Sequence, residues 1–172
     1  MLLYSRPTVR SIVFTELPGS GQLQAVENIM TDRAIAPNLF VQAGERVALL
    51  GSGCKSCGAV AFPAAASCAR CTSAEVEIIE LPRRGRLWTW TLQRFMPKAP
   101  YRSSETELTF RPFGLGYIEL PGALRVESRL LENDPAKLPI GAEMELVLYT
   151  HRVEPDGTRI LNYAFAPVRT AS

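Results

Sequence analysis

Two pairs of thiols are the residues of this chain best placed to do chemistry: Cys54-Lys55-Ser56-Cys57-Gly58 and Cys68-Ala69-Arg70-Cys71. The spacing is C-x2-C, ten residues, then C-x2-C. Each pair suits a tight turn that points two thiolates at one point, and two such turns supply the four sulfurs of a tetrahedral zinc site. Gly58, just past a second ligand, can take the positive φ that such a turn often needs. Four thiolates leave no open position for water, so a site of this kind stabilises a fold and does not catalyse. We expect one structural zinc ion on Cys54, Cys57, Cys68 and Cys71. Iron in the same cage is the remaining chemistry, and protein colour separates the two. Two disulfides would require an oxidising compartment. A thioredoxin-like motif needs a single pair beside a βαβ pattern, and neither condition holds here.

The cluster uses all 4 cysteines, and His151 is the only histidine. No thiol is left as a nucleophile, no G-x-S-x-G motif occurs, and one histidine makes no convincing Ser-His-Asp arrangement. Independent catalysis is therefore the weakest functional reading. We expect His151, at a strand end beside a hairpin turn, to be a solvated surface residue.

With 172 residues, 47% hydrophobic and 21% charged, the chain can bury a core as one large domain or two small ones. A net charge of +2 lacks the basic excess of a dedicated nucleic-acid binder. The longest apolar runs, such as residues 47–50 and 146–149, fall far short of the ~20 residues a bilayer needs. Residues 1–29 show no continuous apolar segment of a secretory signal. The expectation is a soluble, cytoplasmic protein with no membrane partner. Met30-Thr31-Asp32-Arg33 reads like a polar chain start. Residues 1–29 are then either an upstream extension or an N-terminal arm, which the intact mass from the native host distinguishes.

The elements that must position the cysteines are mainly strands. A short helix is expected over residues 22–33, through Ala25, Val26 and Ile29. Strands over 46–50, 59–62 and 75–81 frame the two cysteine turns. Beyond them, residues 86–95 alternate, with Trp88, Trp90 and Leu92 on one face. Strands over 113–120, 124–130, the segment around Met144–Leu148, and the segment around Leu161–Phe165 complete a set of five. Asp134-Pro135 opens a helical turn between the third and fourth, with Asp134 as its cap. Pro155-Asp156-Gly157 is a hairpin turn. The fold class is thus mainly β. We divide the chain into an N-terminal arm or short helix (1–44), a rubredoxin-like zinc ribbon (45–82) and a five-stranded OB-fold barrel (83–172). A five-strand sandwich fragment is the competing architecture, because alternation alone does not prove closure.

This order of parts resembles the zinc-ribbon/OB-fold proteins associated with thiolases and acyl-CoA metabolism. The resemblance covers about residues 38–168. It is carried by C-K-S-C-G (54–58), Phe62-Pro63, C-A-R-C (68–71), R-G-R-L-W-T-W-T (84–91) and P-F-G-L-G-Y-I-E-L (112–120). D-P-A-K-L-P-I-G-A-E-M-E-L-V (134–147) and Y-A-F-A-P-V (163–168) extend it. The branch that accompanies a benzoylsuccinyl-CoA-type thiolase is nearest in length and in the F-G-L-G-Y segment. One departure is that Pro63 is followed by Ala64, where the family often has a second proline; this alters only ribbon packing.

The resemblance implies a non-catalytic subunit that docks on a thiolase-fold enzyme, whose barrel helps to enclose coenzyme A. The loop after the first barrel strand offers cations for phosphates and aromatic surface for adenine: Arg94, Phe95, Lys98, Tyr101 and Arg102. A solvated loop with two buried aromatics is the other account of it. Arg111 and Phe113 are weaker candidates. Arg83, Arg84 and Arg86 read as a solvated linker, with a partner surface as the alternative. A different class of function, a zinc-ribbon/OB module for single-stranded nucleic acid, needs a basic groove with stacking aromatics. The near-neutral charge argues against it.

Overall fold

The computed structural model describes residues 10–14, 25–29, 32–103 and 105–168. Arg10–Phe14 (β1) and Ala25–Ile29 (β2) pair antiparallel. The helix expected over 22–33 is therefore absent from its described part, which holds β2 and then Asp32–Ala34 (β3). Val26 and Ile29 are β-branched, and a segment this short is marginal as a helix without an apolar face to pack. Met30, the proposed chain start, lies outside the described residues.

Phe40–Ala43 (β4) turns through Gly44, at φ +61°, into Arg46–Cys54 (β5). Val60–Ala61 (β6) and Val76–Glu80 (β7) both pair antiparallel with β5, so one long strand carries the whole ribbon. Beyond it come Arg84–Gln93 (β8), Phe113–Glu119 (β9), Arg125–Leu130 (β10), Glu143–Val153 (β11) and Arg159–Pro167 (β12). Antiparallel pairing runs β10-β9-β8-β11-β12. A parallel contact, Arg129 with Ala164 and Leu130 with Phe165, joins β10 to β12 and closes the circuit. This is the five-stranded OB barrel, and closure removes the edges that an open sheet would expose. The strand β3 adds in parallel to β12, held by a bidentate ion pair of Arg159 with Asp32, both contacts 2.7 Å.

The turn between β10 and β11 is a single 3-10 turn, Pro135–Lys137. Asp134 caps it, its side chain accepting from the Ala136 N–H at 3.0 Å. Turns at Gly122 and Gly157 have positive φ, as their sequences predict.

The core is continuous across ribbon and barrel. Leu49 and Leu81, which flank the ribbon, pack in one cluster with Leu87, Ile118, Met144 and Phe165 of the barrel. Phe62 adds an edge-on contact to Tyr163, with centroids 5.5 Å apart. Between β8 and β9, Gly116 is required by closeness. A Cβ there would lie 2.7 Å from the Thr89 carbonyl oxygen and 2.9 Å from the Trp90 Cβ.

One expected face is corrected. Trp88 and Trp90 do not share a side, because the β8–β9 register shifts between Leu87 and Thr89. The extra residue is Trp88, and a β-bulge turns it outward. It is 46% exposed, while Leu87 and Trp90 pack into the interior.

Candidate functional site

The two cysteine turns are copies of one another. In the first, the Cys54 N–H donates to the Ala59 carbonyl and the Gly58 N–H to the Cys54 carbonyl, both at 2.9 Å. In the second, the Cys68 N–H donates to the Ser73 carbonyl (2.9 Å) and the Thr72 N–H to the Cys68 carbonyl (2.8 Å). The position after the second cysteine has positive φ in both: Gly58 at +70° and Thr72 at +61°. Each turn thus presents its two sulfurs to the same side. Cross-links tie the turns together at the Ser56 and Ser73 hydroxyls, 2.9 Å apart, and at the Lys55 N–H to the Glu75 carbonyl, 2.9 Å.

All four sulfurs lie within 4.8 Å of one another. Across the turns, Cys54 and Cys71 are 3.6 Å apart, as are Cys57 and Cys68. A tetrahedral ion with Zn–S bonds of about 2.3 Å needs sulfurs about 3.8 Å apart. The donor set therefore fits zinc in size as well as in chemistry. All four thiols are free, so the disulfide alternative fails.

The protein environment prepares one thiol in each turn for ionisation. The backbone N–H groups of Cys71 and Arg70 bring Cys68 down to about 6. The N–H of Cys57 lowers Cys54 in the same way, against its burial. Cys71 behaves oppositely. The Ser73 N–H pulls it down, but the neighbouring Cys57 and Cys54 sulfurs, with burial, push it up to about 12. A cluster that ionises readily at one thiol per turn and resists further negative charge is one that a divalent cation completes.

The residues expected to meet coenzyme A fall on the segment linking β8 to β9. Arg94, Lys98 and Arg102 are exposed. Phe95 is 81% exposed, and its carbonyl accepts from the Gln93 side chain at 2.6 Å. Tyr101 is half-buried and meets the His151 ring edge-on at 5.7 Å. Arg111 is exposed, with its N–H on Glu105, whereas Phe113 lies under the Arg129 guanidinium at 4.0 Å. The basic cluster is engaged within the chain. Arg83 pairs with Glu145 at 3.7 Å, Arg84 pairs with Glu145 and Glu143 at 3.4 and 3.9 Å, and Arg86 donates to the Gly141 carbonyl. Among the described residues no helix is long and apolar enough to cross a membrane.

Comparison with known proteins matches both parts. Residues 42–77 fit the family model of the ChsH2 rubredoxin-like zinc ribbon domain, and residues 79–148 fit that of the ChsH2 C-terminal OB-fold domain. The benzoylsuccinyl-CoA thiolase subunit BbsA of Thauera aromatica is 32% identical over 120 residues, covering 70% of this chain and 76% of the relative. The chain belongs to the ChsH2 zinc-ribbon/OB-fold family. A DUF35 domain-containing scaffold protein of Methanocaldococcus jannaschii is 29% identical over 126 residues, covering 72% of this chain and 84% of that one. Among solved structures, the Ltp2-ChsH2(DUF35) aldolase shares the fold with a TM-score of 0.51 at 20% identity, covering 70% of this chain and 84% of that one.

Two features of this ChsH2-family chain escape the sequence reading. Thr72 takes the glycine-like conformation of the second turn, and only the symmetry with Gly58 could have pointed to it. His151 is not solvated. It is half-buried, edge-on to both Tyr101 and Tyr149, and its Nδ1 is buried without a hydrogen-bond partner. Burial lowers its pKa, outweighing the opposing Arg102 backbone contact.

Proposed function

We propose that this chain is the zinc-binding, non-catalytic accessory subunit of a heteromeric thiolase-fold enzyme that acts on acyl-CoA thioesters. In that complex the partner supplies the cysteine nucleophile and acid–base groups for thiolytic or aldol carbon–carbon chemistry. This chain supplies a rigid ribbon for docking and a barrel loop that helps to hold coenzyme A. The observation that carries the reading is the convergence of every cysteine of the chain on one closed metal site, which leaves the chain no thiol for acyl transfer. The BbsA relative, whose name makes it a thiolase subunit, supports the class of partner.

The exposed cations Arg94, Lys98 and Arg102, with the open ring of Phe95, supply the chemistry that phosphates and a flat base require. Tyr101, whose ring meets His151, completes the proposed coenzyme set from the same loop. The first test is an affinity pull-down of the tagged protein from its native host, with mass spectrometry of what stays bound. A near-stoichiometric thiolase-fold protein is the expected result; recovery of nucleic acid instead would overturn the reading. In the purified complex, Lys98→Ala with Arg102→Ala should raise KM for the acyl-CoA roughly tenfold, equivalent to about 1.4 kcal/mol of binding, with kcat unchanged. Unchanged kinetics would remove these two residues from the coenzyme site.

A further inference from the structure

Beneath the β8–β9 loop lies a cleft of about 220 Å³, over the seam where β10 and β12 pair in parallel. Tyr101, Phe113, Arg129, Tyr149, His151 and Asn162 line it. Arg129 stands out among them. Its guanidinium carbon is 4.0 Å from the Phe113 ring centroid and 5.1 Å from that of Tyr149. It takes no part in the arginine ion pairs found among the described residues. The acidic residue of β10, Glu127, also lines the cleft, but its carboxylate accepts from the Tyr117 hydroxyl at 2.9 Å. An arginine without a carboxylate partner can offer its N–H fork, and that fork matches a planar carboxylate in two parallel hydrogen bonds.

The rest of the cleft narrows the ligand. A cavity of about 150 Å³ holds one benzene ring, so this open cleft has room for a single ring with a small substituent. Tyr101 and Tyr149 offer aromatic walls, and both lie edge-on to His151. The His151 ring that they meet has its Nδ1 buried and without a hydrogen-bond partner. We propose that this cleft binds a small ring-borne carboxylate, with the carboxylate on the Arg129 edge and the ring against Tyr101 and Tyr149. This goes beyond the coenzyme A reading, since Arg94, Lys98 and Arg102 do not line the cleft.

His151 is the only histidine, so its ring signals report on this cleft alone. The experiment follows them by NMR in the zinc-loaded full chain, labelled at histidine, during titration with benzoate. Saturable shifts of the His151 ring are expected. Arg129→Gln should weaken benzoate at least tenfold, and Arg129→Lys, which keeps the charge but loses the fork, should also weaken it. Zinc content and the backbone spectrum show that each variant is folded. Absence of a saturable His151 shift in the wild type overturns the proposal. Equal binding of benzyl alcohol overturns it by removing the need for charge, and equal binding of inorganic phosphate overturns it by removing the need for a ring.

Discussion

The ribbon and the barrel hold together by different physics within one chain. The ribbon is thin. Cys71 is exposed, Ile78 on β7 is 65% exposed, and its link to the common core runs through residues at its base such as Leu49, Leu81 and Phe62. Its outer end depends on four sulfurs from two short turns, so its cohesion is local. In the barrel, five strands close on themselves around side chains such as Met144, Leu146 and Phe165, all no more than 1% exposed. There the cohesion comes from apolar area and close packing contributed by residues distant in the chain. A metal lets a small unit do without a core, whereas a barrel needs every strand present before its interior is dry.

The comparison is broken most sharply at the metal. Cys68→Ser should abolish stoichiometric zinc binding and unfold the outer ribbon while the barrel strands persist. Structural zinc contributes on the order of 10–16 kcal/mol in isolated zinc-binding peptides, more than any single packing contact. Metal analysis and amide exchange check this, and full zinc occupancy in the variant would falsify the ligand assignment.

The barrel's counterpart is Phe165→Ala, which empties a fully buried site and should cost about 3–5 kcal/mol in urea unfolding. The folded fraction should still carry one zinc. A loss below about 1 kcal/mol would mean that Phe165 is not central to the interior.

Two glycines sharpen the contrast on a smaller scale. Gly116→Ala forces a methyl against the Thr89 carbonyl at 2.7 Å and should cost about 1–3 kcal/mol by overpacking. Gly58→Ala meets no atom within 4 Å but keeps a φ of +70°, so only strain of roughly 1 kcal/mol applies. Thermal unfolding should rank them in that order, and the reverse ranking would show that the turn, not the strand contact, limits stability.

The smallest effect is electrostatic. Glu132 accepts from the N–H groups of Asp134 and Asn133, both at 3.0 Å, and pairs with Lys137 at 3.4 Å. The Asp134 N–H first, then that of Asn133, holds its carboxyl below the usual range. The stabilisation is therefore complete above the ordinary carboxylate pKa and is lost as pH falls through the lowered folded value. Glu132→Gln should destabilise slightly at neutral pH, with the difference vanishing in acid. A difference that persists in acid would assign the effect to packing.

Much of the molecule is legible because its signals are local. The cysteine spacing picks out a metal site and its four ligands without reference to any other part of the chain. The alternation of Val126, Ser128 and Leu130 with Arg125, Glu127 and Arg129 shows which side of β10 is buried, and burial follows it apart from the half-covered Arg129. The Asp134-Pro135 turn and the Pro-Asp-Gly hairpin are written in residues whose side chains and φ preferences act within a few positions.

What sequence by itself determined, then, is a zinc ribbon followed by a five-stranded unit, since coordination geometry, strand period and turn chemistry are short-range. Tertiary structure alone decided the rest. The bulge that turns Trp88 outward depends on its register against β9. The parallel addition of β3 depends on Asp32 meeting Arg159, 127 positions away. The burial of His151 depends on a loop bringing Tyr101 over it, and the setting of Arg129 on β9 and β11 bringing up Phe113 and Tyr149. Each is a contact between distant residues, fixed only when the barrel closes, and no local pattern encodes a neighbour that the chain has yet to meet.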